Sequence, residues 1–113
     1  MNKKSIFELI LEGEVNSNIV YENDYVFAIN DINPVSKIHI LIIPKKKIES
    51  INFIEEEDSQ LLAQMFLTAK LLAKKYEINN SGYRLVVNTG ENAGQTVFHI
   101  HMHLIGGEKL KNI

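Results

Sequence analysis

The chain contains no cysteine and no tryptophan, and only two of its 113 residues are proline. Without thiols, disulfide staples, a thiolate nucleophile and a sulfur-ligated zinc site are excluded, so any metal would depend on histidine and carboxylate. An excess of one charge is lacking as well: 12 Lys and Arg stand against 14 Asp and Glu, a net charge of −2 with neutral His. Such a balance gives no general attraction to a phosphate backbone, which argues against a nucleic-acid-binding module. No segment approaches the roughly 20 apolar residues of a membrane span. Ile6 to Leu11, behind Lys3 and Lys4, resembles a signal peptide only superficially. Glu8 interrupts it, no small-residue cleavage site follows, and Glu12 and Glu14 come next. The expectation is a cytoplasmic protein with no membrane partner.

What is present is an ordinary globular composition, 45% hydrophobic and 23% charged, neither membrane-like nor disordered. A length of 113 residues predicts one domain spanning 1–113. The N-terminal apolar segment reads as a helix with Ser5 as N-cap and Gly13 as its stop. Ile19 to Tyr21 and Tyr25 to Ile29 read as a hairpin turned by Glu22, Asn23 and Asp24. Ile38 to Ile43 is a nearly continuous apolar run ended by Pro44, the pattern of a central strand. From about Glu55 to Tyr76, Leu61, Leu62, Met65, Phe66, Ala69, Leu72, Ala73 and Tyr76 recur at helical spacing. Acids lead that segment and Lys70, Lys74 and Lys75 close it, as the helix dipole prefers. Tyr83 to Asn88 resumes as a strand, and a Gly- and Asn-containing loop follows. The order predicts an α+β fold, one antiparallel sheet with helices covering a face.

The chemistry concentrates between Phe98 and Gly107, FHIHMHLIGG, where His99, His101 and His103 alternate with Ile100, Met102 and Leu104. On a strand, alternate side chains share a face about 7 Å apart, so the three imidazoles would form one row above an apolar underside. If 38–43 lies beside 98–105, His39 joins that row. Taken alone, His39 is more often an ordinary hydrogen-bonded residue. Three imidazoles in alternation are different, because each buried ring needs a polar partner and a purely structural strand gains nothing from them. One reading is a metal site, since His-x-His can converge on an ion. Against it, no acidic residue stands within the histidine segment, and the row is long for a single ion. Another reading is phosphoryl or nucleotidyl transfer through histidine itself. A neutral imidazole attacks phosphorus without first losing a proton, while neighbouring rings and donors stabilise the developing charge. Gly94, Gln95 and Thr96 supply a close-approaching backbone, an amide and a hydroxyl just before the row.

GQTVFHIHMHLIGG, from Gly94 to Gly107, resembles the signature of the histidine triad (HIT) superfamily. NDINPVSKIHILIIPKKKI from Asn30 to Ile48, YRLVVNTGENAGQ from Tyr83 to Gln95, and the pair Gly106 and Gly107 are similar to its histidine triad nucleotide-binding (HINT) branch. The resemblance implies a five-stranded antiparallel sheet that pairs across a twofold axis into a homodimer. It also implies cofactor-free hydrolysis of purine nucleoside phosphoramidates, such as AMP joined to an amine. Hydrolysis of dinucleoside polyphosphates and a non-catalytic nucleotide-binding or regulatory module are the alternatives.

Carried across by position, the resemblance makes His101 the nucleophile and His103 a phosphate contact, with His99 and His39 in support. Asp31 matches the carboxylate that binds the ribose hydroxyls. Asn88, Gly94, Gln95, Thr96 and Val97 match contacts on the phosphate and leaving-group side, and Ile6, Phe7, Ile10, Ile29 and Ile32 match the base pocket. Thr96 stands where the branch commonly has Ser, and Asn16 where many relatives have Pro. The closing residues Glu108 to Ile113 lack the Trp and Pro that the tail of eukaryotic relatives carries.

Overall fold

The computed structural model describes residues 3–113. Its elements are α1 (Ile6–Leu11), β1 (Ile19–Glu22), β2 (Val26–Asn30), β3 (Ile38–Pro44), α2 (Ser59–Lys75), β4 (Tyr83–Val86) and β5 (Met102–Gly106), with 3-10 turns at Ile51–Phe53, Glu56–Asp58 and Glu91–Ala93. The strands form one five-stranded sheet in the order β1-β2-β3-β5-β4. Every neighbouring pair is antiparallel. Among the described residues no helix is long and apolar enough to cross a membrane.

Local chemistry accounts for the boundaries. Ser5 Oγ accepts the Glu8 amide at 3.1 Å, and the Glu8 carboxylate accepts the Ser5 amide at 2.8 Å. Glu8, which in sequence looks like an interruption, is therefore the reciprocal half of a capping box. Gly13, at φ +82°, takes the left-handed position just past the helix end, where a side chain is disfavoured. In the β1–β2 turn the Asn23 carboxamide oxygen accepts the amides of Tyr25 and Val26.

The long helix differs from its sequence outline at the front. The acids do not start α2; Glu56–Asp58 forms a separate tight turn, and the helix begins at Ser59. Asp58 is the reason, since its carboxylate accepts the Glu55 amide at 2.9 Å and the Lys46 ammonium at 2.6 Å. These bonds hold the lead-in out of the helical path.

The sheet buries both faces, and the two helices lie on opposite sides rather than covering one. Val26, Ala28, Ile40, Ile42, Met102 and Leu104 pack with Leu61, Met65, Ala69, Leu72 and Ala73 of α2. On the other side Phe27, Ile29, Leu41 and Ile43 pack with Phe7 and Ile10 of α1. A strand covered on both faces needs apolar residues at consecutive positions, which is why β3 reads as a continuous run instead of an alternation. Phe66, part of the helical pattern in the sequence, is 58% exposed with Leu67 and Leu71 beside it.

The histidine segment is only partly strand. β5 starts at Met102, and Val97 to His99 form a bend. Backbone groups there pair outside the ladder: the Ile100 amide donates to the Ile48 carbonyl at 2.7 Å, and the His99 carbonyl accepts from the His101 ring. The alternation survives through the bend. Ile100, Met102 and Leu104 all enter the α2-side core.

Candidate active site

β3 and β5 pair with Leu41 opposite His103 and His39 opposite Ile105. Residues two apart share a face, so His39 and His103 become diagonal neighbours on the α1 side of the sheet. Their rings meet, with His39 Nε2 2.9 Å from His103 Nδ1. The strand pairing that brings His39 to the row is the one expected from sequence.

Hydrogen bonds assign a tautomer to each ring. The Val35 amide donates to His39 Nδ1 at 3.1 Å, so neutral His39 carries its proton on Nε2 and donates to His103 Nδ1. His103 is then left with an Nε2–H. His101 Nδ1 lies 2.8 Å from the His99 carbonyl, which only accepts, so Nδ1 holds the proton and Nε2 keeps its lone pair. His99 donates from Nε2 to the Pro44 carbonyl at 2.8 Å and accepts at Nδ1 from Ser5 Oγ at 2.7 Å. The result pairs an unprotonated nitrogen on His101 with an N–H on His103, their rings 5.2 Å apart.

Burial favours these neutral forms. It lowers the pKa of His99 and of His101 below the usual 6.5, and it is the first cause for His103, which is pushed down to about 4 with help from the neighbouring His101 and His39. At neutral pH all three are uncharged. Phe7 presses edge-on against His99 and His101, at ring separations of 5.7 and 5.0 Å, and shields both from water.

A cavity of about 450 Å³ opens over His101 and His103. Ile6, Phe7, Ile10, Ile29 and Ile32 line one part of it, and Asn88, Gly94, Thr96 and Val97 another, with Asp31 also on the wall. Asp31 is held in place: its Oδ1 accepts the Asn33 amide at 2.8 Å, and its Oδ2 lies 3.4 Å from His39 Nε2. Ile32 stands at the mouth, 92% exposed.

Three expected site residues do not line this cavity. His39 and His99 are buried behind it, bonded to residues that do line it or flank it. Gln95 is also buried, and its carboxamide is committed: it accepts the Gly90 amide and donates to the carbonyls of Glu49 and Val97. The Gln95 side chain pins the loop; it is not presented to a ligand. Conversely, Val15, Asn16, Ser17, Asn30 and Leu41 line the cavity without having been read as site residues. Leu41 carried a signal, because it lies two residues from His39 on the same face of β3. Val15 to Ser17 form an irregular connection with no period to read. A larger groove, about 550 Å³ and lined by Lys37, Tyr76, Glu77 and Lys109 among others, contains no histidine.

The fold also supplies the acid that the histidine segment lacks, since donor atoms of Asp31, His39 and His103 all lie within 4.8 Å of one another. These three do not fit an ion. A metal needs a lone pair from each ligand, yet His39 Nε2 bears the proton because Nδ1 accepts the Val35 amide. Binding an ion there would move the ring proton to Nδ1 and set it against the Val35 N–H that now donates to that nitrogen.

A family model described as HIT domain matches residues 12–110. The chain belongs to the HIT family. A purine nucleoside phosphoramidase of Escherichia coli is 44% identical to it over 110 residues, 97% of this chain and 92% of that protein. An uncharacterized HIT-like protein of Buchnera aphidicola is 39% identical over 97% of this chain and 98% of its own length. Among solved structures, a HIT family hydrolase from Legionella pneumophila superposes with a TM-score of 0.93 at 42% identity, covering 96% of both chains. A histidine triad protein from Clostridium difficile gives 0.94 at 37% identity, covering 100% of this chain and 99% of that one. The HIT relatives of this chain thus include one named as a phosphoramidase and one named as a hydrolase.

Proposed function

We propose that residues 1–113 act as a single HIT domain, a cytoplasmic hydrolase of purine nucleoside phosphoramidates working through a nucleotidyl-histidine intermediate and without a metal or other cofactor. The observation that carries this reading is the pairing of tautomers on the cavity floor. His101 Nε2 has a free lone pair, and His103 offers an N–H beside it. In the first step the lone pair forms an N–P bond and the P–N bond to the substrate's amine breaks, that nitrogen taking a proton from solvent as the amine leaves; the hydrolysis step returns it. His103 donates to a phosphate oxygen, and Thr96 and Asn88 face the departing group. Water then attacks phosphorus, the His101–phosphorus bond breaks, and AMP and a proton are released. Asp31 is a fixed carboxylate able to accept from both ribose hydroxyls, and the apolar wall suits a purine ring.

The charge of the cavity favours a phosphoramidate over a dinucleoside polyphosphate. Its lining includes no Lys or Arg, while Asp31 is negative and the histidines are neutral. A chain of several anionic phosphates would enter with nothing to neutralise it, whereas one phosphoryl group needs only the donors present.

The test is turnover of an adenosine phosphoramidate with excess chelator, coupled to mass spectrometry of quenched enzyme. Product formation with a nucleotidyl adduct on the His101 peptide is the expected result. Loss of activity on chelation would support the metal reading, and tight AMP binding without product would support a binding module. The pH dependence follows from the same geometry. The protonated ring has no lone pair, and burial makes protonation of His101 occur at lower pH, so kcat/KM should fall only on the acid side with a midpoint below 6.5. A midpoint above that value contradicts the neutral, buried nucleophile.

The family resemblance also motivates a homodimer. β4 is an open edge of the sheet, and exposed Leu67 and Leu71 share a shallow groove with Tyr83 of that strand. One twofold axis beside β4 would pair two edges and cover both apolar helix faces. In sedimentation or light scattering the protein should run as a dimer, and Leu67→Asp with Leu71→Asp as a monomer. An unaltered mass in the double variant would place the contact elsewhere.

A further inference from the structure

We propose that Ser5 is a positioning residue for the reaction, joining the start of α1 to the attacking histidine through His99. This rests on the reading of His101 as nucleophile. One hydroxyl does two things: it accepts the Glu8 amide that begins α1, and it donates its own proton to His99 Nδ1. His99 passes the constraint on. Its Nε2–H is held by the Pro44 carbonyl and its backbone carbonyl holds His101 Nδ1–H, so the ring that attacks is oriented by the residue that Ser5 locks. The same helix start carries Ile6, Phe7 and Ile10 into the cavity, with Phe7 on both rings. His99 is 1% exposed and lies 94 residues from Ser5 in sequence, so the contact is one that only the fold supplies.

The groups facing His99 are Glu8 from α1, Lys47 from the segment after β3, and His101. Glu8 favours the charged ring, and Lys47 and His101 oppose it. The Ser5 proton on Nδ1 also opposes it, because a nitrogen that already accepts a hydrogen bond has no free site for a second proton. Without that donor, His99 should charge at higher pH and place an imidazolium against His101.

Three variants separate this role from simple helix capping. Ser5→Thr keeps both cap and donor and should recover most of the activity. Ser5→Ala removes both, and kcat/KM should fall about 10- to 100-fold, the scale of a misoriented catalytic group. Ser5→Asp keeps a good N-cap but has no proton for Nδ1 and instead favours charged His99. It should therefore hold its melting temperature near that of the parent while its acid limb and the His99 NMR titration both move to higher pH. A Ser5→Asp protein whose pH profile and His99 titration match the parent would overturn the proposal and leave capping alone. The NMR titration needs no turnover. A shifted His99 in an enzyme indifferent to His101→Ala would thus reject the nucleophile, not the coupling.

Discussion

His101→Ala should reduce turnover of an adenosine phosphoramidate by about four orders of magnitude or more, the usual scale for losing a nucleophile that acts as part of a unit, while AMP still binds. The split follows from the layout of the cavity. The apolar wall of Ile6, Ile10 and Ile29 and the carboxylate of Asp31 are spatially separate contributions, and none is bonded to the His101 side chain. Deleting the ring removes the atom that forms the bond to phosphorus and little of the surface that holds a nucleoside. Calorimetry with AMP beside single-turnover kinetics reads both quantities. Residual activity within about tenfold of the parent would assign bond formation to water or another residue. Loss of AMP binding in a folded variant would show that the ring builds the pocket.

The largest effect on stability is expected for Phe27→Ala. Phe27 is fully buried and belongs to the cluster of Phe7, Ile10, Ile29, Leu41 and Ile43 under the cavity. Removing a buried aromatic ring costs about 3–5 kcal/mol, a large share of the roughly 5–15 kcal/mol that holds a domain together. The void also lies under α1, so the helix that carries Phe7 against the histidines loses its seat. Urea unfolding should show a lower midpoint at an unchanged slope. Ile32→Ala, at a nearly fully exposed position, should change stability by less than about 0.5 kcal/mol. A loss below about 1 kcal/mol for Phe27→Ala would mean that this face is not packed as described.

Much of this layout is legible in the chain itself. The β3 run announces a strand buried on both faces, the spacing from Leu61 to Tyr76 announces α2, and the histidine alternation keeps one parity from Ile100 to Leu104. The helix capped by Ser5 is legible too, and Glu8 completes its capping box. Other side chains are claimed by partners that the pattern does not show. The acids before α2 look like its first turn until Asp58 is seen between the Glu55 amide and Lys46. Phe66 fits the helical period, yet faces outward. Gln95 has the chemistry of a ligand contact, but three backbone groups of its own loops consume it.

By itself the sequence determined which residue types meet and in what periodicity: the parity of an extended chain is a property of covalent geometry, so alternating histidines share a side wherever their segment stays extended. It also determined the family, through the residues around that row. What only the tertiary structure decided is the protonation pattern. The proton on each imidazole is set by whichever carbonyl, amide or hydroxyl the fold carries to its other nitrogen: Ser5 and Pro44 come from remote segments, while the Val35 amide and the His99 carbonyl are turned onto their rings by bends in the adjoining backbone. A difference of one hydrogen between two ring nitrogens separates a nucleophile from a donor, and no periodicity in the chain encodes it.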